Sequence, residues 1–124
     1  MLRLTAQYAD WWNALLIHGR SRPADLEPTM GLLDAACQEA GRDPATLGRT
    51  ASVHWSASDR VAVLPSWARA RYGAPLTGRP DAVAEIFRAF ARAGIAHLQV
   101  ILWPHTRAGV EAFCPVLEAL DQRT

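Results

Sequence analysis

Residues 80–104 read PDAVAEIFRAFARAGIAHLQVILWP, and this stretch decides the fold class. Proline at the first position of a helix is favoured because its missing N–H is one the first turn leaves unbonded, and Asp81 follows near the positive end of the helix dipole. Val83, Ile86, Phe87 and Phe90 recur every three or four residues, which predicts a helix with one apolar stripe, ended by Gly94. Leu98 to Trp103 then forms the clearest strand of the chain, and Pro104 stops it.

The same alternation extends in both directions. Toward the C-terminus, Ala108 to Leu120 predicts a helix that buries Val110, Phe113, Cys114, Leu117 and Leu120. Toward the N-terminus, Ala57 to Gly78 is the least regular part, broken at Pro65, Gly73, Pro75 and Gly78, with Ser66 to Tyr72 as a short helix. A connection that long in a compact domain usually carries function or structure of its own. Arg49 to Ser56 reads as a strand rich in β-favouring residues. It follows a turn at 41–44 and a short helical twist over Ala45 to Leu47. Before these, Leu26, Met30, Leu33, Cys37 and Ala40 mark one face of a helix over Ala24 to Ala40, with Pro28 tolerable only in its first turn. Trp11 to Ile17 is an apolar run interrupted by Asn13, suited to a buried strand, and Met1 to Ala9 is helix-like.

The predicted order is α-β-α-β-α-β-α, and strands alternating with helices imply parallel pairing with right-handed crossovers. Three strands alone would leave two unpaired edges and one sheet face without cover. The expectation is therefore an α/β fold whose βα units form part of an eight-stranded (β/α) barrel, with residues 1–124 as one domain that enters the pattern partway through.

Composition narrows the function classes. Half of the 124 residues are hydrophobic and 20% are charged, as in ordinary globular domains. A net charge of +1 argues against nucleic acid or an acidic membrane surface as a partner. All thirteen basic residues are arginines. Cys37 and Cys114 both fall on predicted apolar helix faces and read as small buried hydrophobes. With no apolar run of about 18 residues and no signal-like start, the expected location is the cytoplasm. The histidines and cysteines show no zinc spacing, so no metal is expected, and no phosphate-binding glycine loop or nucleophile elbow is present.

The run Leu2 to Asn13, ending in Tyr8-Ala9-Asp10-Trp11-Trp12-Asn13, resembles a late-barrel segment of the luciferase-like monooxygenase family. Leu32 to Cys37 followed by Gly41-Arg42-Asp43-Pro44 looks like the helix and turn that come next. Leu76 to Ala84, then Ala93 to Val100, resembles the final βα units, and Phe113 to Leu117 the terminal helix. The resemblance implies a barrel flavoprotein that uses FMN, or in some branches the deazaflavin coenzyme F-420, to oxidise or reduce a small organic substrate. It also implies that this chain corresponds to the C-terminal third or so of such an enzyme. The glycine-rich strand end that helps hold the cofactor phosphate, and the strands that supply much of the ring pocket, would precede it.

Active sites of these barrels lie at the C-terminal ends of the strands. That selects 13–18, 54–58 and 103–107, with 57–78 over the same mouth. Asn13 is the candidate cofactor contact, and Trp12 and Trp103 are candidate substrate walls. His105, in the loop after the last strand, is the candidate acid–base group. Arg107, beside the start of the last helix, is a second cofactor candidate through an anion, as are Arg69 and Arg71. Each has a plainer reading: Asp10, Trp12 and Asn13 as a turn and core, the arginines as solvated charges. His54 reads first as a satisfied strand histidine, and alternation puts it on the opposite sheet face from Trp55. His97 lies at the opposite, stability end.

The leading expectation is the C-terminal portion of a flavin- or deazaflavin-dependent oxidoreductase or monooxygenase, inactive alone. The alternative is a non-catalytic α/β scaffold or oligomerisation module pairing through exposed strand edges.

Overall fold

The computed structural model describes residues 1–58 and 64–122. The part of the expected long connection at 59–63 lies outside the described residues. The element order is α1 (Leu2–Tyr8), β1 (Trp11–Leu15), α2 (Glu27–Glu39), β2 (Gly48–Ser56), α3 (Ser66–Tyr72), α4 (Pro80–Arg92), β3 (His97–Trp103) and α5 (Arg107–Asp121). Short 3-10 turns at Pro23–Leu26 and Pro44–Thr46 lead into α2 and β2. The three strands form one parallel sheet in the order β1-β2-β3. This is the α/β arrangement of parallel βα units read from the alternation.

Register distributes the side chains. Asn13 pairs with Thr50 and Leu15 with Ser52, while Ser52 pairs with Gln99, His54 with Ile101 and Ser56 with Trp103. Because successive strand residues point to opposite faces, Thr50, Ser52, His54 and Ser56 share one face with Asn13, Gln99 and Trp103. The other face carries Ala51, Val53 and Trp55, at most 2% exposed. That outer face meets α4 and α5 through Val83, Phe87, Phe90, Phe113 and Val116, and this is the main core. A smaller cluster of Ala6, Leu33, Cys37 and Leu47 seats α1 and α2.

Arg42 ties the first helix down. Its guanidinium donates to the carbonyls of Ala9 at 2.6 Å and Ala6 at 3.2 Å, which the end of α1 would otherwise leave without partners. Arg49, at the start of β2, pairs with Asp34 of α2. Both contacts lie at the N-terminal end of the sheet, away from the mouth.

α5 departs from expectation. Cys114, Val110 and Leu117 were expected in its buried stripe, but Cys114 is exposed and Val110 and Leu117 are 57% and 49% exposed. The helix instead buries Gly109, Phe113 and Val116. Two neighbouring stripes of α5 are apolar, and Gly109 selects between them. A Cβ there would stand 2.1 Å from the Pro104 carbonyl oxygen, so only glycine lets the first turn sit so close to the preceding loop. Ala40, expected on the buried face of α2, is also exposed, because the helix ends at Glu39. Among the described residues no helix is long and apolar enough to cross a membrane.

These contacts predict a graded stability response. Phe90→Ala, at a fully buried position, should lower unfolding free energy by about 3–5 kcal/mol. Val110→Ala should change it by no more than about 0.5 kcal/mol. Urea unfolding followed by circular dichroism checks both, and equal losses would contradict the exposure of Val110 on α5.

Candidate functional site at the strand C-termini

The inner face has a polar lower part and an aromatic upper part. In the lower part the Thr50 hydroxyl donates to Asn13 Oδ1 at 2.7 Å, and Asn13 Nδ2 donates to Ser52 Oγ at 3.2 Å. The Ser52 hydroxyl in turn donates to Gln99 Oε1 at 2.6 Å. A continuous hydrogen-bonded row thus crosses all three strands. Ser52 is buried, whereas Asn13 and Gln99 remain exposed and retain spare amide capacity.

Above this row, His54, Tyr72, Trp103 and His105 assemble from three elements. His54 is 5% exposed on β2. The Tyr72 ring of α3 stacks on it with centroids 4.2 Å apart. Trp103, the last residue of β3, donates its indole N–H to His54 Nδ1 at 2.8 Å. His105 stacks on Trp103 at 4.0 Å, and Trp67 meets Trp103 edge-on at 6.3 Å. Leu64 and Ala68 pack under Trp103, so α3 sits across the mouth. Its end is held from another unit, because Gly19 donates its backbone N–H to the Tyr72 carbonyl at 2.8 Å.

The Trp103 contact has an electrostatic consequence. An indole N–H only donates, so His54 Nδ1 must present its lone pair, and the neutral ring carries its proton on Nε2. That Nε2 is buried and has no hydrogen-bond partner. A buried polar atom left so costs about 1–3 kcal/mol. Burial foremost, and the charge of His105 next, hold the His54 pKa below its ordinary value.

The candidates read from sequence divide accordingly. Trp103 and His105 come together at the mouth. Asn13 lies on the same face, lower down. Trp12 is on the opposite face, half-buried against the Ala6, Leu33, Cys37 and Leu47 cluster, because adjacent strand residues cannot share a side. Arg107 begins α5 with its side chain 92% exposed and pairs with Glu111 at 2.7 Å. Arg69 is exposed, and Arg71 lies over the Tyr72 ring at 5.9 Å. His97 stands at the N-terminal end of β3, as expected. His54 was read as satisfied and is not. Its signal was present in the alternation Thr50, Ser52, His54, Ser56, a polar row on one face of a strand whose other face carries Ala51, Val53 and Trp55. Among the described residues Trp55 Nε1 is a second buried side-chain atom without a partner, but it lies on the helix side, where the ring meets Phe113 edge-on at 4.9 Å. Among the described residues no cluster of His, Cys, Asp or Glu could hold a metal ion.

Trp103→Phe should keep the ring stack but leave His54 Nδ1 buried without its donor, lowering stability by about 1–3 kcal/mol in urea unfolding at pH 7. The pH dependence has a definite sign. As pH falls through about 6.5, the unfolded chain takes up a proton on this histidine before the folded chain does. Stability therefore declines from there until the lower folded-state value is passed, and is unaffected by His54 above that window. The wild type should show this acid-side slope and His54→Phe should lose part of it; identical slopes would contradict the buried neutral ring.

No protein-family model matches the chain, and no curated protein matches it. Among solved structures, it is similar to a coenzyme F-420-dependent secondary alcohol dehydrogenase, determined in complex with an adduct of that coenzyme and acetone, at a TM-score of 0.66 and 17% identity. The likeness covers 98% of this chain and 46% of that one, so the chain spans about half the length of its structural neighbour. The similarity concerns the fold, and it supports βα units of the (β/α) barrel type.

Proposed function

We propose that this chain supplies the late βα units of a luciferase-like, deazaflavin- or flavin-dependent oxidoreductase acting on a small organic substrate. The observation that carries the reading is the match of 98% of the chain to an F-420-dependent dehydrogenase, together with a polar and aromatic face at the strand ends. Of the two cofactors the neighbour favours the deazaflavin.

The residues present fit one border of such a fused ring. Its carbonyl and imide edge needs both donors and acceptors, and the exposed amides of Asn13 and Gln99 offer both. The buried, unmatched His54 Nε2 offers a further donor. When bound, the cofactor would supply hydride or electron transfer, and the chain's part is to position and to exclude water. In this reading Asn13 holds the ring edge, and Trp103 is the apolar wall of the substrate space. His105, exposed beside that wall, exchanges the substrate proton with solvent. Arg107 engages Glu111 through Nε alone and keeps its terminal N–H donors for a phosphate, and Trp12 supports β1 from behind.

A second reading, an association module, is favoured by exposed apolar side chains on β1 and α5: Trp11 at 61%, Leu15 at 44%, Val110 at 57% and Leu117 at 49%. One experiment separates the two. The native polypeptide carrying this segment is captured from its source cells with an antibody, and its mass and bound small molecules are read by mass spectrometry. The oxidoreductase reading expects a mass well above that of the 124-residue chain with a stoichiometric deazaflavin or flavin. A chain of 124 residues in a defined oligomer with neither cofactor would overturn it and establish the association module.

A further inference from the structure

The His54 site makes a demand that its own surroundings do not meet. Its ring is fixed on both sides: the Trp103 N–H occupies Nδ1 at 2.8 Å, and the Tyr72 ring covers one face at 4.2 Å. The proton is therefore on Nε2, which has neither acceptor nor solvent. Buried donors are nearly always satisfied, and one left open at a strand C-terminus asks for an acceptor brought from outside.

We propose that His54 is a ligand-binding residue, whose Nε2–H donates a hydrogen bond to a carbonyl oxygen on a flat, uncharged part of a molecule held at the mouth. The chemistry of the walls selects this class. A metal ion would need a lone pair, and the one on Nδ1 is engaged by Trp103. An anion would meet the electron-rich rings of Tyr72 and Trp103 that lie against His54. A flat, neutral carbonyl group suits both the aromatic walls and the single donor. Since Nε2 is sealed, the ligand enters with a local opening beside it. The carbonyl belongs either to a substrate or to a cofactor ring; the identity of the molecule rests on the oxidoreductase reading, but the donor does not.

The test uses the full chain labelled with 15N-histidine, in which only four histidines report. Long-range 1H–15N correlation at pH 7 should find His54 as the Nε2–H tautomer, and Trp103→Phe should release it to a mixture of tautomers. Cyclohexanone, FMN and coenzyme F-420 are then added separately. A downfield shift of the His54 Nε2 proton with cyclohexanone identifies a substrate carbonyl; the same shift with a cofactor alone identifies a ring carbonyl. Affinity for the responding probe, followed by backbone amide shifts, should fall about tenfold or more in His54→Phe. It should be largely kept in His54→Gln, which retains an N–H donor. If His54→Phe does not fold, the wild-type shifts and His54→Gln decide.

An Nδ1–H tautomer or an imidazolium at pH 7 would overturn the proposal, as would an Nε2 proton that none of the three probes moves. Cofactor binding with an unmoved His54 signal would overturn it while leaving the oxidoreductase reading intact. A cyclohexanone response in a chain that binds neither cofactor would support it, and the oxidoreductase reading would then be decided by the native polypeptide.

Discussion

β2 is paired on both edges, and that double pairing is the constraint on which the rest of the structure depends. Leu16 donates to the Ser52 carbonyl on one side, and Ala96 donates to the Arg49 carbonyl on the other, so the strand cannot slide against either neighbour alone. Because side chains alternate, this register sends Ala51, Val53 and Trp55 to the helices and Thr50, Ser52, His54 and Ser56 to the opposite face. A slip of one residue would press three polar groups onto Phe87, Phe90 and Phe113 and turn Trp55 away from them. The hydrophobic energy of the main core therefore also aims the polar face.

Much of this layout is legible in the residues. α4 and β3 follow from the stripe at Val83, Phe87 and Phe90 and the apolar run to Trp103, and the short helix at Ser66–Tyr72 follows from its flanking proline and glycine. The buried face of α5 does not follow, because Val110, Cys114 and Leu117 make as good a stripe as Gly109, Phe113 and Val116. What selects between them is the clearance between Gly109 and the Pro104 carbonyl, a tertiary fact. Trp12 and Asn13 are a different case. Strict alternation separates them, and treating neighbours as one site overlooks it. Alternation separates His54 from Trp55, but its missing partner depends on Tyr72 and Trp103, which lie far from it in the chain.

The molecule treats its polar groups unequally. At the N-terminal end of the sheet, Arg42 and Arg49 meet carbonyls and a carboxylate, and at the middle of the inner face the hydroxyls and amides of Thr50, Asn13, Ser52 and Gln99 satisfy one another. Among the described residues of this face, the buried donor that lacks an acceptor, His54 Nε2, lies toward the C-terminal end. The gradient from satisfied to unsatisfied along one sheet face matches the division of barrel folds into a stability end and a chemical end.

Gly73, at φ 72°, ends α3 so close to the loop after β1 that a Cβ would lie 2.5 Å from the Gly19 nitrogen. That contact, with the Gly19–Tyr72 bond, means that the ring covering a residue of the second strand is steered by the connection that leaves the first. The βα units are thus not interchangeable modules. Exchanging the first unit for one from another barrel, even with the sheet register preserved, would misplace a side chain belonging to the second unless the Gly19 contact came with it.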